Sequence, residues 1–319
     1  MEFVIKKTTE LDEVEKVSLL DCFIEVFDHK RSMEEMLNQY LNTPMGYCVH
    51  SLCIDNHRIV AAHTAFPSYY WVGAQKIKTY ITGDTMVRKE YRDGAVYLDV
   101  MMGLNQYMKK AGYAFVFGFP NENSYAVNKK GRLAVEFGRM DTYILPYRIG
   151  GIKRGLAWLN PLSKWFSKFW LFCCSVRAKD DVQVAPIHKD DESYNFTRYK
   201  RLDGDYNHIQ KDNLNFYYKL KLHEGVRTAF IIDVIGKSET RFQNAIKYIL
   251  KTEKDSFDLL MYVGHLPGNL RRIGLIKIPR KIEPKHLYMT GKVYEKSLDS
   301  KLICDINNWD VNLSDYDLI

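Results

Sequence analysis

From Thr79 to Phe119 the hydrophobic period of the chain changes twice. Thr79 to Val87 mixes β-branched and aromatic residues in rough alternation, which predicts a strand. Arg92-Asp93-Gly94-Ala95 breaks that pattern. Val96, Val100, Leu104, Tyr107 and Met108 then recur at helical spacing, so Val96 to Lys110 predicts a helix that Ala111-Gly112 stops. Tyr113 to Phe119 is short and almost wholly apolar, as a buried strand requires. The unit is strand, small-residue turn, helix, strand.

Upstream, residues 2 to 6 alternate as a first strand, and Glu10 to Phe27 predicts an amphipathic helix with Val14, Val17, Leu20, Phe23 and Ile24 on one face. Ser32 with Glu35 reads as a capping box for a second helix, which runs to about Leu41 and ends at Thr43-Pro44-Met45-Gly46. Tyr47 to Ile54 and Arg58 to Phe66 predict a hairpin around Asp55-Asn56-His57, with the next turn at Ala74-Gln75. Downstream, Thr228 to Ile235 predicts a buried strand. Ser238 caps a helix carrying Phe242, Ala245, Ile246, Ile249 and Leu250, followed by a strand at Phe257 to Val263. A short helix is expected at Pro267 to Ile273 and another strand from Leu275. This succession parallels that after Thr79, as an internal duplication would.

Between the two halves, Leu156 to Val176 is dense in aromatic and apolar side chains. Pro161, Lys164 and Lys168 interrupt it, so no transmembrane span is expected. It predicts a linker helix packed between domains or across a homodimer, ahead of an interfacial helix with lysines flanking Trp165, Phe166, Phe169 and Trp170. The expected division is residues 1–148, a linker at 149–185, and residues 186–319.

A chain of 319 residues suits two domains, and 46% hydrophobic with 27% charged residues is the composition of a soluble globular protein. The net charge of +7 is spread along the chain, which suits small anionic ligands and is too diffuse to argue for DNA. Six cysteines show neither metal-ligand nor disulfide spacing, and the opening MEFVIKK has no apolar signal core, so a reduced, cytoplasmic setting without a bound metal is expected. The turn before Val96 reads by itself first as a strand-to-helix turn that uses Gly94 for backbone freedom alone, and it also has a chemical use. A helix N-terminus presents unpaired N–H groups, Gly94 and Ala95 allow a pyrophosphate close to the backbone, and Arg92 adds positive charge.

The stretch Thr85 to Tyr97 (TMVRKEYRDGAVY) resembles the acetyl-CoA motif of the GNAT superfamily of N-acetyltransferases, Arg/Gln-x-x-Gly-x-Gly/Ala. Arg92 and Ala95 fall on its basic and first glycine positions, Asp93 stands where a glycine is common, and Tyr97 takes the last small-residue position. Gly118 to Gly131 resembles the next GNAT segment, with Asn121 and Ser124 matching its Asn-x-x-Ser/Ala. Asn128 stands where the family often has a tyrosine that protonates the departing thiolate, and Tyr125, one turn earlier, is the substitute candidate. The order of elements before the loop is also the GNAT order.

The resemblance implies an α/β fold of the α+β type, with two GNAT-like domains, each a mixed, mostly antiparallel sheet flanked by helices. It implies an acyl-CoA-dependent N-acyltransferase that moves an acyl group, acetyl in the simplest case, directly to an amine. Acetyl-CoA would lie on Arg92, Asp93, Gly94, Ala95, Val96, Tyr97, Asn121 and Ser124, with the main chain of Met86 and Val87 holding the pantetheine arm. Asp84 is the first candidate base, then Glu90 and His63. Ile235-Gly-Lys-Ser-Glu239 lacks the motif, so the second half is expected to be degenerate, with the acceptor held between the halves. The ending from Asn307 to Ile319 resembles tandem-GNAT proteins of bacterial surface-polysaccharide gene sets, which hints at an amino sugar, free or nucleotide-linked, as acceptor. Two alternatives stand beside this reading: a GNAT-like binding or assembly protein without catalysis, and a Fem-type transferase that uses aminoacyl-tRNA.

Overall fold

The computed structural model describes residues 1–92, 95–131, 133–190, 193, 206–211, 214–268, 270–283 and 285–315. In the first compact unit, β1 (Glu2–Lys7), β2 (Val49–Asp55), β3 (Arg58–Val72) and β4 (Gln75–Val87) pair antiparallel in chain order. Asn56 and His57 close the β2–β3 hairpin with φ of 49° and 60°, the left-handed pair that matches strand twist in a two-residue turn. α1 (Glu13–Phe27) and α2 (Met33–Leu41) both begin on reciprocal capping boxes, Asp12 with Glu15 and Ser32 with Glu35. They bury Leu19, Cys22 and Met36 with Leu52, Ile59 and Met86 of the sheet.

α3 (Val96–Lys110) crosses over from β4 to β5 (Phe115–Gly118), which makes β4 and β5 parallel. Its Leu104 and Met108 pack with Tyr80 and Val116. α4 (Glu122–Lys130) and β6 (Val135–Arg139) follow.

The compact units divide the chain differently from the expected 1–148, 149–185 and 186–319. One takes Met1–Gly138, Lys189–Gly204 and Tyr288–Cys304, while the other takes Arg139–His188, Asp205–Leu287 and Asp305–Ile319. β7 (Asp141–Pro146) therefore belongs to the second sheet. A single residue, Met140, separates it from β6, and one residue cannot reverse a chain into a hairpin. α5 (Ile149–Ile152) and α6 (Asn160–Ser175) also belong to the second unit. The Ser163 and Ser167 hydroxyls donate to the carbonyls of Tyr147 and Pro146 at 3.0 and 2.9 Å, and Leu171 enters the second core. The stretch expected as a linker is thus a packed element of one unit.

After β8 (Ile187–Lys189), β9 (Asn207–Lys211), β10 (Leu214–His223) and β11 (Val226–Val234) pair antiparallel. α7 (Glu239–Thr252) then crosses to β12 (Leu259–Gly264), parallel to β11. With β13 (Ile276–Lys277) the second sheet has the order β13-β7-β12-β11-β10-β9. β14 (Tyr288–Val293) pairs with β5, which gives the first sheet the path β1-β2-β3-β4-β5-β14-β6. A Cβ at Gly291 would collide with the Val116 carbonyl and the Phe137 ring, so that position requires glycine.

The strand–helix–strand unit anticipated from the sequence is present in both units. The helix expected at Pro267 to Ile273 is not formed by its described residues. Gly268 is left-handed at φ 63°, and the Glu239 carboxylate accepts the N–H groups of Arg271 and Arg272 at 3.0 and 2.8 Å. Those bonds hold the backbone in an irregular path.

A buried cation closes the turn from β11 to α7. Lys237 Nζ lies 2.6 Å from Asp233 and 2.8 Å from Asp310, and Asn312 donates to Asp233 at 2.8 Å. Burial opposes the ammonium charge, yet Asp233 and Asp310 hold its pKa well above the ordinary lysine value. Lys237→Met leaves the Asp233 carboxylate buried without its cation. The expected cost is about 3–5 kcal/mol, read as a fall in thermal midpoint; an unchanged midpoint would show that the pair adds nothing to stability.

Two histidines make the first unit acid-sensitive. His50 sits between the Thr8 and Thr64 hydroxyls at 2.9 and 3.0 Å, and His63 meets Thr85 Oγ1 at 2.7 Å. Burial pushes their pKa values down to about 3 and about 4. Below the unfolded value of roughly 6.5 the unfolded chain takes up protons that these rings refuse. Stability therefore falls as pH drops from there toward 4, by up to about 1.4 kcal/mol per pH unit for each ring. Urea midpoints at neutral and acid pH should fall more steeply for the wild type than for His63→Asn.

Candidate active site

β5 pairs with β4 only where Tyr80, Ile81 and Thr82 face Val116, Phe117 and Gly118. Beyond Thr82, β4 runs on to Val87. In that extension the β3–β4 register slips, with Ala62 opposite Met86 but Thr64 opposite Gly83. His63 thus faces two residues, Asp84 and Thr85, and Asp84 has φ of 42°. This is a β-bulge, which bends and twists the strand that carries it.

A left-handed non-glycine residue costs about 1–2 kcal/mol, and contacts to the Asp84 side chain offset that cost. Its carboxylate accepts from the Tyr40 hydroxyl at 2.8 Å and the Gln39 amide at 3.4 Å. Arg31 lies 3.6 Å away, donates to the side-chain Oε1 of Gln39 and covers the rings of Phe23 and Tyr40 at 4.7 and 5.3 Å. Burial, and then Asp84, push the Tyr40 pKa well above the usual phenol value, so Tyr40 remains a donor. The sequence reading named Asp84 and His63 but not Arg31, Gln39 or Tyr40. The spacing of Met36 and Tyr40 marks a buried face of α2; nothing local ties that face to β4.

Met86 and Val87 are buried side chains whose main chain lies in the extension of β4 past β5. Glu90 is half exposed in a surface ion pair with Arg58 at 3.4 Å. Arg92 donates from Nε to the Val87 carbonyl at 2.9 Å, with the residue itself exposed. Asp93 and Gly94 lie outside the described residues. Ala95 stands at the N-cap of α3, where it offers no side-chain acceptor to the first-turn N–H groups. Val96 is buried and Tyr97 half-buried.

Asn121 spends its side chain on capping α4, accepting the Ser124 N–H at 2.9 Å. The Tyr97 hydroxyl donates to the Asn128 side chain at 3.1 Å, which joins the first turn of α3 to α4. Burial raises the Tyr97 pKa, with the Ser124 side chain opposing. Tyr125 has its hydroxyl on Glu136 and its ring stacked on Tyr288 at 3.9 Å between centroids. The bond to Glu136 raises its pKa. The sequence residues therefore assemble as two groups. One comprises Asp84 and His63 at the bulge; the other comprises Tyr97, Ser124 and Asn128 where α3 meets α4. Glu90 and Tyr125 are engaged elsewhere. Among the described residues, no cluster of His, Cys, Asp and Glu could hold a metal ion.

In the second unit the corresponding helix end is filled by protein. Ser238 caps α7 through the Arg241 N–H at 3.1 Å, and Glu239 accepts from Lys179 N–H at 3.1 Å as well as from Arg271 and Arg272.

No family model and no curated protein matches the sequence. Solved structures do match. A protein of unknown function from Enterococcus faecalis V583, described as a probable N-acyltransferase, aligns at TM-score 0.56 and 10% identity over 92% of this chain and 73% of its own. A GCN5-related N-acetyltransferase from Kribbella flavida aligns at 0.57 and 10% identity, over 91% and 71%. Another from Anabaena variabilis ATCC 29413 aligns at 0.60 and 11% identity, over 92% and 73%. Together with the two mixed sheets and their helical crossovers, these likenesses show that the chain has the fold of the GCN5-related N-acetyltransferases.

Proposed function

We propose that the chain is an acyl-CoA-dependent N-acyltransferase, acetyl-CoA being the simplest donor, with its site in the first unit. The observation that carries this reading is the parting of β4 from β5 after Thr82, beside an α3 whose N-cap residue has no side-chain acceptor. The main chain from Asp84 to Val87 can pair with an extended, amide-bearing arm as a sheet edge pairs with an added strand. The first turn of α3, with Arg92 before it, suits a pyrophosphate. Bound there, acyl-CoA would supply an acyl group already activated as a thioester.

The chain's own residues supply the proton handling. Asp84 offers a carboxylate to a cationic amine and takes up its proton, while Arg31, Gln39 and Tyr40 fix its direction. Tyr97 holds a proton at Oη, which burial keeps in place. It is the donor this reading assigns to the leaving sulfur: Asn128 has no acidic proton, and the Tyr97 hydroxyl donates to that neutral amide at 3.1 Å, a bond it can exchange for one to sulfur, whereas Tyr125 donates to the Glu136 carboxylate. The acceptor is a small amine, and amino sugars with their nucleotide-linked forms are the first panel to test.

Calorimetric titration with acetyl-CoA should give a dissociation constant in the micromolar range, weakened by about tenfold or more in Arg92→Glu with the fold unchanged by circular dichroism. A folded wild-type protein that binds no acetyl-CoA overturns the reading. In turnover, Asp84→Asn should lower kcat by about 10²-fold or more while acetyl-CoA affinity holds. Tyr97→Phe should lower kcat without raising KM for acetyl-CoA, and a Tyr97→Phe enzyme as fast as wild type removes the acid role from that residue.

A further inference from the structure

α6 presents most of its large apolar residues to solvent, while Ser163, Ser167 and Leu171, with Trp170 beside them, face the protein. Trp158, Leu162, Trp165, Phe169, Phe172 and Val176 repeat at alternating intervals of four and three, one continuous stripe on a helix and the turn before it. Each is between 50% and 75% exposed. Trp165 and Phe169 stack on one another at 5.2 Å between ring centroids. The opposite face is Ser163, Ser167, Leu171 and Cys174, and it already satisfies the packing of this element through the Tyr147 and Pro146 carbonyls and the second core. A surface helix of a globular protein has the reverse pattern, so this stripe marks an interaction surface.

Its charge selects the partner. From Ile149 to Lys179 the chain contains no aspartate or glutamate, and Lys153, Arg154, Lys168 and Arg177 are all exposed along it. Asp180, the first acid after it, accepts from Ser238. Two copies of this segment would bring lysine and arginine against lysine and arginine with no carboxylate of the segment to pair them. A surface of anionic headgroups over an apolar interior complements both features: aromatic rings enter the acyl boundary and the basic side chains reach the headgroups. Among the described residues no helix is long and apolar enough to cross a membrane. α6, at roughly 24 Å long, fits lying in the interface plane.

We infer that the aromatic stripe of α6 docks the protein on an anionic lipid bilayer. This inference is independent of the proposed acyl transfer. The test is flotation of the full chain with vesicles of phosphatidylcholine alone and with added phosphatidylglycerol, at low and high salt, together with tryptophan emission. Expected are binding to phosphatidylglycerol vesicles that weakens with salt, a blue shift on binding, and a loss of about tenfold or more in Trp165→Glu/Phe169→Glu. Both substituted side chains are exposed, and circular dichroism and an unchanged thermal midpoint check that the variant keeps its fold. Failure of the wild type to float with phosphatidylglycerol vesicles overturns the inference. So does equal binding to neutral vesicles, or a concentration-dependent dimer in sedimentation that the double substitution abolishes.

Discussion

The left-handed backbone of Asp84 is the constraint on which the first unit's site depends. A strand that kept its register would give Asp84 an ordinary conformation and leave His63 facing one partner. The bulge turns β4 just past its last bond to β5, and it persists because the Asp84 carboxylate is held from outside the sheet by Tyr40, Gln39 and Arg31. Local strain is thereby supported by α2 and the residue before its cap. The capping box at Ser32 matters for the same reason: it fixes where α2 begins, and so where Gln39 and Tyr40 lie relative to β4.

The sequence made the local elements legible because their signals are local. The capping box at Ser32, the Asn56-His57 turn and the succession from Thr79 to Phe119 each depend on a few neighbouring residues. The sheet membership of β7 and β14 was not legible, since pairing partners far apart in sequence leave no period or turn to read. Met140 alone separates β6 from β7, and neither turn chemistry nor composition marks the passage. Pro267 to Ile273 failed as a helix for a related reason: its backbone partner is Glu239, on another element. Of the candidate site, the residues of β4 and α3 could be named from the motif, whereas the Arg31–Gln39–Tyr40 support and the Tyr97–Asn128 bond could not. Those are contacts between elements, which a motif does not encode.

The two units show how one supersecondary unit can serve two ends. In the first, α3 starts on Ala95, which gives its N–H groups no side-chain partner at the cap. In the second, α7 starts on Ser238, while Glu239 holds the backbone of Lys179, Arg271 and Arg272. A helix N-terminus left without a side-chain cap in one case becomes a fastening for the protein's own loops in the other. Lys237, held between Asp233 and Asp310, completes that fastening.

The pairing of β14 with β5, in which Phe117 meets Gly291, bears on the order of events on the ribosome. β5 is made well before the strand that covers its edge, with β7 to β13 translated between them. Throughout that interval the nascent first sheet carries an open hydrogen-bonding edge lined by Phe115, Val116 and Phe117, a template for pairing with a wrong strand. The strands β9 to β13 face no such wait, because they are made one after another with no strand of the first sheet between them. Completion of the first sheet therefore waits on synthesis of most of the second, and is set by chain closure over a long separation.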